Sequence, residues 1–437
     1  MITPAHRESN PESSTTKAAL RAMRQPGVAF AMFLLLGINL FNYMDRYVLA
    51  AMEPRIQSSL FSGRDNDPIV LGEMGSLATW FIVSYMVAAP ILGWLADRYS
   101  RWMLVGIGVI FWSLATGGSG LATTFTVLVV TRMLVGVGEA GYGPAAPTII
   151  ADLFPLENRG TAMAWFYMAI PVGSALGYVV GGQIGAHFGW RTAFFAVVPP
   201  GLLLGILCFF RKETSQSRDR KLVEHKANLA DFIHILKTPS YVLDTLGMAA
   251  MTFAIGGISY WMPRYVAEFR KAGELGHVNL IFGAMTALAG LSATLLGGIV
   301  GDKLRQRFSG AYFIVSGAGI LLSCPFILLM LVVPFPWAYG CIFLAEFFLF
   351  FNTGPSNTIL ANVTSPTVRA SAFAMNILII HAIGDAPSPM LLGYIVGAHG
   401  WDAAFGLVTA VTALGGVLWL IGTPFLQKDT DAITSLA

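Results

Sequence analysis

The sequence carries little charge, since Asp, Glu, Lys and Arg make up 12% of its 437 residues while hydrophobic residues make up 55%. Soluble globular proteins carry about twice that share of charged residues. A soluble fold of this length would need charged surfaces over two or more domains, and too few charges are present to cover them. The composition therefore excludes a soluble protein, and we expect no nucleic acid among its partners.

Cysteine is also scarce. Cys208, Cys324 and Cys341 each fall inside an apolar run, with neither metal-ligand spacing nor an extracellular pairing pattern. The stretch Gly136–Gly141 spells a dinucleotide-binding pattern, but it lies within an apolar span with no strand before it. A phosphate-binding loop of the nucleotide-hydrolysing type is lacking as well. We therefore expect no metal, no cofactor and no ATP-driven pump.

What the sequence has in abundance is long apolar runs. Spanning the hydrocarbon core of a bilayer takes about 20 mostly apolar residues per helix. Twelve segments meet this requirement: 28–51, 72–96, 102–122, 126–152, 161–186, 191–210, 240–265, 278–301, 310–333, 337–363, 370–397 and 402–425. The sequence predicts an all-α membrane protein with twelve transmembrane helices.

A single long charged linker divides these segments into two groups of six. The predicted organisation is an N-terminal segment 1–27, a six-helix bundle 28–210, the linker 211–239, a second six-helix bundle 240–425 and a tail 426–437. Apolar residues in the linker recur at helical spacing, namely Leu229, Phe232, Ile233 and Leu236. This pattern predicts a short amphipathic helix at the membrane interface, either a passive strut or a regulatory element.

The two groups of six repeat each other. The stretch Gly93–Arg98 is answered by Gly298–Lys303, and Gly189-Trp190 is answered by Gly400-Trp401. Landmarks at matching places indicate duplication into two pseudo-symmetric bundles. Two such halves usually enclose a central site near the bilayer midplane and rock about it.

The orientation follows from the basic residues near the helix ends. With a cytoplasmic amino terminus, nineteen of the 27 Lys and Arg residues lie on the cytoplasmic side and six on the other side. We expect both termini to be cytoplasmic, in the cell (inner) membrane.

Ionisable residues inside the spans require an explanation, because inserting each one at the centre of the bilayer costs about 2.5–3.5 kcal/mol on scales of membrane insertion. The first helix contains Asp45 and Arg46, and the fourth contains Arg132 and Glu139 on one helix face. These groups could be ion pairs that only hold helices together. Two acid–base sets in one half exceed that need, and they favour proton coupling.

The chemistry of these pairs suits a proton switch. Burial raises the pKa of a carboxyl group, and a nearby arginine lowers it again. A helix movement that separates Asp45 or Glu139 from its arginine would make the acid take up a proton. We expect Asp45 and Glu139 to be the proton-linked acids, with Arg46 and Arg132 as their switching partners.

Further polar residues predict a substrate cavity. They comprise Asn39, Asn42 and Tyr43 of the first helix, Glu346, Thr353 and Asn357 of the tenth, and His381 and Asp385 of the eleventh. His381 could titrate near neutral pH or be a packing residue. The phenylalanines of the tenth helix could contact either lipid or a greasy part of a substrate.

The stretch Gly93-x-Leu-Ala-Asp97-Arg98-x-x-Arg101 resembles the signature loop between the second and third helices of the major facilitator superfamily. The echo in the second half departs from the pattern, because Gln306 stands where the last arginine belongs. The resemblance implies a cytoplasmic gate in which Asp97 and Arg98 bind the opposite half in the outward-open state. The gate residues would be Gly93, Asp97, Arg98, Arg101, Asp302 and Lys303.

A narrower resemblance is to the Spinster-type lysolipid transporters. It rests on the stretches 42–47, 132–154 and 169–178, which are similar to the first, fourth and fifth helices of that family. The resemblance implies an amphipathic anion with a polar head and an acyl chain as substrate, with proton linkage. Asp45, Arg46, Arg132 and Glu139 match the charge network of the family's cavity.

The sequence therefore predicts a secondary transporter, working as a monomer among membrane lipids, that couples protons to an amphipathic anion by alternating access. The alternatives are a proton symporter for small soluble organic anions and a membrane-embedded enzyme that modifies lipids. The enzyme would have to use His381 and Asp385, and the internal duplication argues against it. A non-transporting receptor is a further alternative.

Overall fold

The computed structural model describes residues 26–96, 98–154, 156–211, 229–365 and 368–434. Within these residues, eleven helices are long and apolar enough to cross a bilayer. A twelfth crossing is made by two shorter helices in series, Ala338–Phe350 and Thr353–Asn362. The all-α fold with twelve membrane helices is confirmed.

The first half contains six membrane helices. They are α1 (Pro26–Leu60), α2 (Pro68–Ala96), α3 (Arg101–Gly120), α4 (Phe125–Leu153, broken between Glu139 and Tyr142), α5 (Leu156–Phe188) and α6 (Trp190–Cys208). A short linker helix, Leu229–Lys237, follows where the apolar spacing predicts one. The location of that helix at a membrane interface stays a prediction.

The second half repeats this arrangement. Its helices are α7 (Pro239–Phe269, with a π-helical last turn), α8 (Leu275–Arg305), α9 (Ala311–Val332), α10 (the pair Ala338–Phe350 and Thr353–Asn362), α11 (Arg369–His399, with a π-helical turn at His381–Asp385) and α12 (Trp401–Gly422). A final short helix, Leu426–Thr434, follows α12.

The first helix is longer than predicted. The apolar run ends near residue 51, but α1 continues to Leu60. Glu53 in this extension is buried, and its carboxylate accepts a hydrogen bond from Arg264 of the other half. A partner across the interface allows a charged residue to remain inside the bundle, so its charge did not mark a helix end.

Small residues bring α5 close to α1. A Cβ atom on Gly173 would lie 2.5 Å from the backbone oxygen of Leu40, and one on Gly177 would lie 2.6 Å from that of Met44. Glycine at these places therefore permits the backbones to touch, as small residues do in membrane bundles. This contact fixes the position of α1, which carries Asp45 and Arg46.

The two halves meet along α2 with α11 and along α5 with α8. Tyr260 donates a hydrogen bond to the Met74 carbonyl, and Asn279 donates to the Ala51 carbonyl at 3.0 Å. Further along, Thr79 donates to the Ala386 carbonyl at 2.6 Å. These bonds join the halves from the end of the molecule that holds Glu53 and Arg264, which we call the closed end, to the middle of the helices.

Candidate functional site

A cavity of about 200 Å³ lies between the two halves, and we call it the central chamber. Helices of both halves line it. The wall includes Tyr43, Arg46 and Tyr47 of α1, Phe81 of α2, Arg132 of α4, Ser259 and Tyr260 of α7, and His381, Asp385 and Pro389 of α11. Predicted site residues from the two halves therefore face one space.

Arg46 is paired across helices with Glu139. Its Nη2 and Nε atoms donate to Oε2 of Glu139 at 2.7 and 2.9 Å. The side chain of Arg46 is 25% exposed, whereas that of Glu139 is fully buried. The guanidinium also lies over the rings of Phe81 and Tyr43, at 4.8 and 5.0 Å from their centroids. Aromatic faces stabilise a cation that is partly removed from water.

Arg132 forms the second pair, with Asp45 at 3.6 Å between Nη1 and Oδ1. Two hydroxyl groups of α3 complete this network. Ser119 accepts hydrogen bonds from the Arg132 guanidinium at 2.7 and 3.0 Å, and Thr116 donates to Asp45 Oδ2 at 2.7 Å. Both charged side chains are almost fully buried. The four predicted charges therefore form two pairs, each joining α1 to α4.

The two acids lie behind the two arginines. Arg46 and Arg132 reach the chamber wall, but Asp45 and Glu139 are buried and are not among the residues that line it. Glu139 ends the first segment of α4, where the helix is broken. Among the described residues, neither Glu139 Oε1 nor Asp45 Oδ1 has a hydrogen-bond partner. A substrate in the chamber would therefore meet the cations first.

The second half contributes a histidine–carboxylate pair. His381 Nδ1 lies 2.9 Å from Asp385 Oδ1, and the His381 ring packs edge-on against Tyr85 of the first half. The pair sits on the π-helical turn of α11, directly before Pro387 and Pro389. π-Helical turns are frequent at functional sites. Thr79 and Trp261 donate to the carbonyls of Ala386 and Pro389, so neighbouring helices satisfy backbone groups around the prolines.

The other predicted cavity residues do not line the chamber. Asn39 is buried and donates to the Phe166 carbonyl of α5, and Asn42 is buried on the same helix. Glu346 is buried and accepts hydrogen bonds from Thr286 at 3.1 and 3.2 Å. Asn357 donates back to the carbonyl of Thr353, beyond the break in α10. Helical spacing placed these residues on polar faces but could not show which face meets the chamber.

The predicted gate residues make contacts within their own halves. Arg98 donates to the Trp94 carbonyl and lies over the Trp94 ring, and Gly93 directly precedes Trp94 in the chain. Arg101 pairs with Asp152 of α4. In the second half, Asp302 accepts from Tyr312 at 3.0 Å, and Lys303 is exposed. Asp97 lies outside the described residues. The gate role of these residues stays a prediction.

Residue spacing missed one charged cluster. Glu53 and Arg264 form a buried ion pair of 2.9 Å between the two halves, at the closed end. The predicted first helix ends before Glu53, and Arg264 is one of the six basic residues predicted to lie on the non-cytoplasmic side. Two features of the sequence could have indicated this cluster. Arg264 follows Pro263 near the end of α7, and Glu53 directly precedes Pro54 in α1.

Comparison with known proteins agrees with this architecture. Residues 35–389 match the family model of the Major Facilitator Superfamily. The chain is 34% identical over 427 residues to protein spinster homolog 1 of Xenopus laevis, covering 90% of this chain and 80% of that protein. It is 35% identical over 450 residues to the sphingosine-1-phosphate transporter SPNS2 of Danio rerio, covering 95% and 87%.

Solved structures share the fold. A bacterial homolog of the human lysosomal transporter Spinster, crystallised in an inward-facing and unoccupied conformation, superposes with a TM-score of 0.74 at 21% identity, covering 94% of this chain and 98% of that one. A D-xylose–proton symporter superposes with a TM-score of 0.72 at 16% identity, covering 91% and 98%.

Two six-helix halves around a central charged chamber define a multi-pass membrane transporter rather than an enzyme. The chain belongs to the spinster family of the Major Facilitator Superfamily.

Proposed function

We propose that this transporter moves an amphipathic anion, of the lysophospholipid type, together with protons. The observation that carries the proposal is the order of charges at the chamber: arginines at the wall and carboxylates behind them. The relative SPNS2 is a transporter of sphingosine-1-phosphate, an amphipathic phosphate, which supports the same chemical class.

The Arg46–Glu139 pair supplies the coupling in this proposal. An anion that binds the exposed part of Arg46 would neutralise the positive charge that Glu139 neutralises in this structure. Glu139, buried and deprived of its partner, would then bind a proton, since an unpaired carboxylate is costly away from water. Departure of the anion would restore the pair and release the proton. Asp45 and Arg132 would form the second, more deeply buried pair of the same switch.

The size of the chamber limits what it holds. Pockets for drug-sized ligands usually measure about 300–1,000 Å³, whereas the chamber measures about 200 Å³. It suits the head group of an amphiphile, whose acyl chain would extend beyond the chamber. The same small volume favours the second candidate, a proton symporter for small soluble organic anions.

Two six-helix halves also suggest how the site is exposed. With both termini cytoplasmic, as the basic residues predict, the closed end faces away from the cytoplasm, as an inward-facing conformation requires. The halves would rock so that Arg98, Arg101, Asp302 and Lys303 meet when the closed end opens. The proposed setting is a monomer in the cell membrane.

Transport by the purified protein in proteoliposomes tests the substrate class. Labelled lysophospholipid should accumulate when a pH gradient is imposed, and a short-chain carboxylic acid should not compete. Arg46→Gln should abolish this uptake, while Arg191→Gln, at an arginine outside the chamber lining, should keep it. Competition by the short acid together with no lysophospholipid uptake would favour the small-anion symporter instead.

A further inference from the structure

A further buried ion pair lies away from the two pairs of the central chamber, at the closed end. Arg264 of α7 donates through Nη1 to Oε1 of Glu53 in α1 at 2.9 Å. Glu53 is fully buried and Arg264 is 5% exposed. Because a buried charge pair is stable only while both partners are present, this contact holds α1 against α7 as long as Glu53 is ionised.

Other groups make Arg264 the centre of a cluster that joins the two halves. Gln57 of α1 accepts a hydrogen bond from Nη1, and the Asp65 carbonyl, in the loop after α1, accepts one from Nη2 at 2.8 Å. Gln57 in turn donates to the carbonyls of Arg64 and Asp65 at 2.9 and 3.0 Å. One guanidinium of the second half therefore fastens both α1 and its following loop.

The cluster contains two carboxylates for one cation. Glu268, one turn after Arg264, lies 3.2 Å from its Nε atom and is 48% exposed. Tyr260 of α7 and Asp65 of the loop are the other titratable groups that act on these two carboxylates. Arg264 can thus keep a counterion at the surface if it leaves Glu53, whereas Glu53 pairs with no other cation among the described residues.

We propose that Glu53 is a second proton-binding site, separate from the chamber acids, that opens the closed end when it is protonated. Protonation removes the charge attraction between Glu53 and Arg264, so that Arg264 keeps only Glu268 as its counterion and α1 is released from α7. Glu268 is about half exposed and contacts the buried Arg264, which places this cluster within one side chain of the aqueous phase. This proposal rests on the alternating access of the proposed function.

A neighbouring ion pair responds differently to acid. Hydrogen bonds from Arg64 hold the pKa of Asp67, in the loop between α1 and α2, below its ordinary value. The Asp67 carboxyl group therefore loses its charge at a lower pH than an ordinary carboxyl group does. Acid opening of the closed end would accordingly not originate at this exposed pair.

Distances across the closed end test the proposal without substrate. Spin labels are placed on the full chain at S62C and H277C, two exposed positions on opposite halves, with Cys208, Cys324 and Cys341 replaced. Pulsed EPR in nanodiscs then gives the distance distribution at neutral and acidic pH. We expect the long-distance population to grow about tenfold on acidification, which corresponds to a change of about 1.4 kcal/mol in favour of the open form.

Three variants decide between the possible sources of that response. Glu53→Gln should populate the long distance at neutral pH and show no further change in acid. Glu139→Gln should keep the response to acid, whereas Glu268→Gln should weaken it, because Arg264 then lacks a counterion at the surface. A Glu53→Gln protein that stays closed with an unchanged response overturns the proposal. So does a response that disappears only in Glu139→Gln, which would assign gating to the chamber acids.

A conservative variant covers the case in which Glu53→Gln does not fold. Glu53→Asp keeps the charge but lengthens the ion pair, so the carboxylate is less stabilised and the midpoint of opening should move to higher pH. An unchanged midpoint would contradict the proposal. These distance measurements need no substrate. The proposed opening by Glu53 can therefore fail while proton-driven transport is observed, and proton-driven transport can fail while the opening is observed.

Discussion

At the scale of single residues, the two ion pairs of the chamber differ in their surroundings. Arg46 is partly exposed and stacked on aromatic rings, so it can exchange Glu139 for another anion. Arg132 is held by Ser119 and the ring of Phe194, and its partner Asp45 is held by Thr116. The first pair is the more accessible part of the proposed switch, and the second, more deeply buried pair also holds α1 against α4.

Removing Arg132 should therefore reduce stability. Arg132→Met leaves the Asp45 carboxylate buried without its cation, and breaking a buried pair in this way costs about 3–5 kcal/mol. Unfolding by SDS titration in mixed micelles measures the loss. The double variant Asp45→Asn/Arg132→Met should recover much of it, because no charge is left unpaired. A loss below about 1 kcal/mol in the single variant would show that the pair is not what stabilises this contact.

The four charges of the chamber could be predicted because each interrupts an otherwise apolar run and therefore needs a reason. Their partners could not. The spacing within one helix suggested that Asp45 and Arg46, or Arg132 and Glu139, act as sets, whereas both pairs in the structure cross between α1 and α4. The contacts of Thr116 and Ser119 with these charges could not be predicted, because hydroxyl groups are common in membrane helices and, being uncharged, do not interrupt an apolar run.

At the scale of helices, the sequence predicts that a helix is present more reliably than it predicts where the helix ends. Helix α1 passes Glu53 and reaches Leu60, because a tertiary partner compensates the charge that usually marks a surface. Helix α10 is interrupted near Asn352, whose side chain donates to the Leu349 carbonyl. The first departure arises from a contact between helices, and at the second a side chain bonds to the nearby backbone. The hydropathy of one segment reports neither kind of contact.

The glycines of α5 give a test of helix packing. A Cβ atom on Gly177 would lie 2.6 Å from the Met44 carbonyl oxygen and 2.7 Å from the Tyr47 Cβ, so Gly177→Ala must displace α1. We expect a loss of about 1–3 kcal/mol, as for other overpacked positions, together with reduced transport because Tyr47 lines the chamber.

The matched control is Gly406→Ala in α12, where a Cβ atom would meet nothing within 4 Å. This substitution should leave stability unchanged or raise it slightly, since alanine favours helix by about 1 kcal/mol over glycine. Thermal unfolding of both variants in the same detergent checks the pair. Equal behaviour of the two variants would show that α1 and α5 are not held in close contact in the folded protein.

At the scale of the whole molecule, the fold was predictable because duplication leaves matching landmarks in the two halves. The conformation could not be predicted, since in alternating access one sequence must support both inward-open and outward-open states. The choice seen here rests on inter-half contacts such as Glu53 with Arg264 and Tyr260 with the Met74 carbonyl. Such contacts form and break during transport, so no single pattern in the chain selects them.

Transport driven by a pH gradient in Glu139→Gln is the most direct measurement of the coupling. The wild-type protein in proteoliposomes should accumulate substrate against its gradient when a proton gradient is imposed. Glu139→Gln should exchange substrate between the two sides but lose accumulation, since the neutral amide neither binds nor releases a proton. If the variant accumulated substrate as the wild-type protein does, the exchange of Glu139 for an anion at Arg46 would not couple transport to protons.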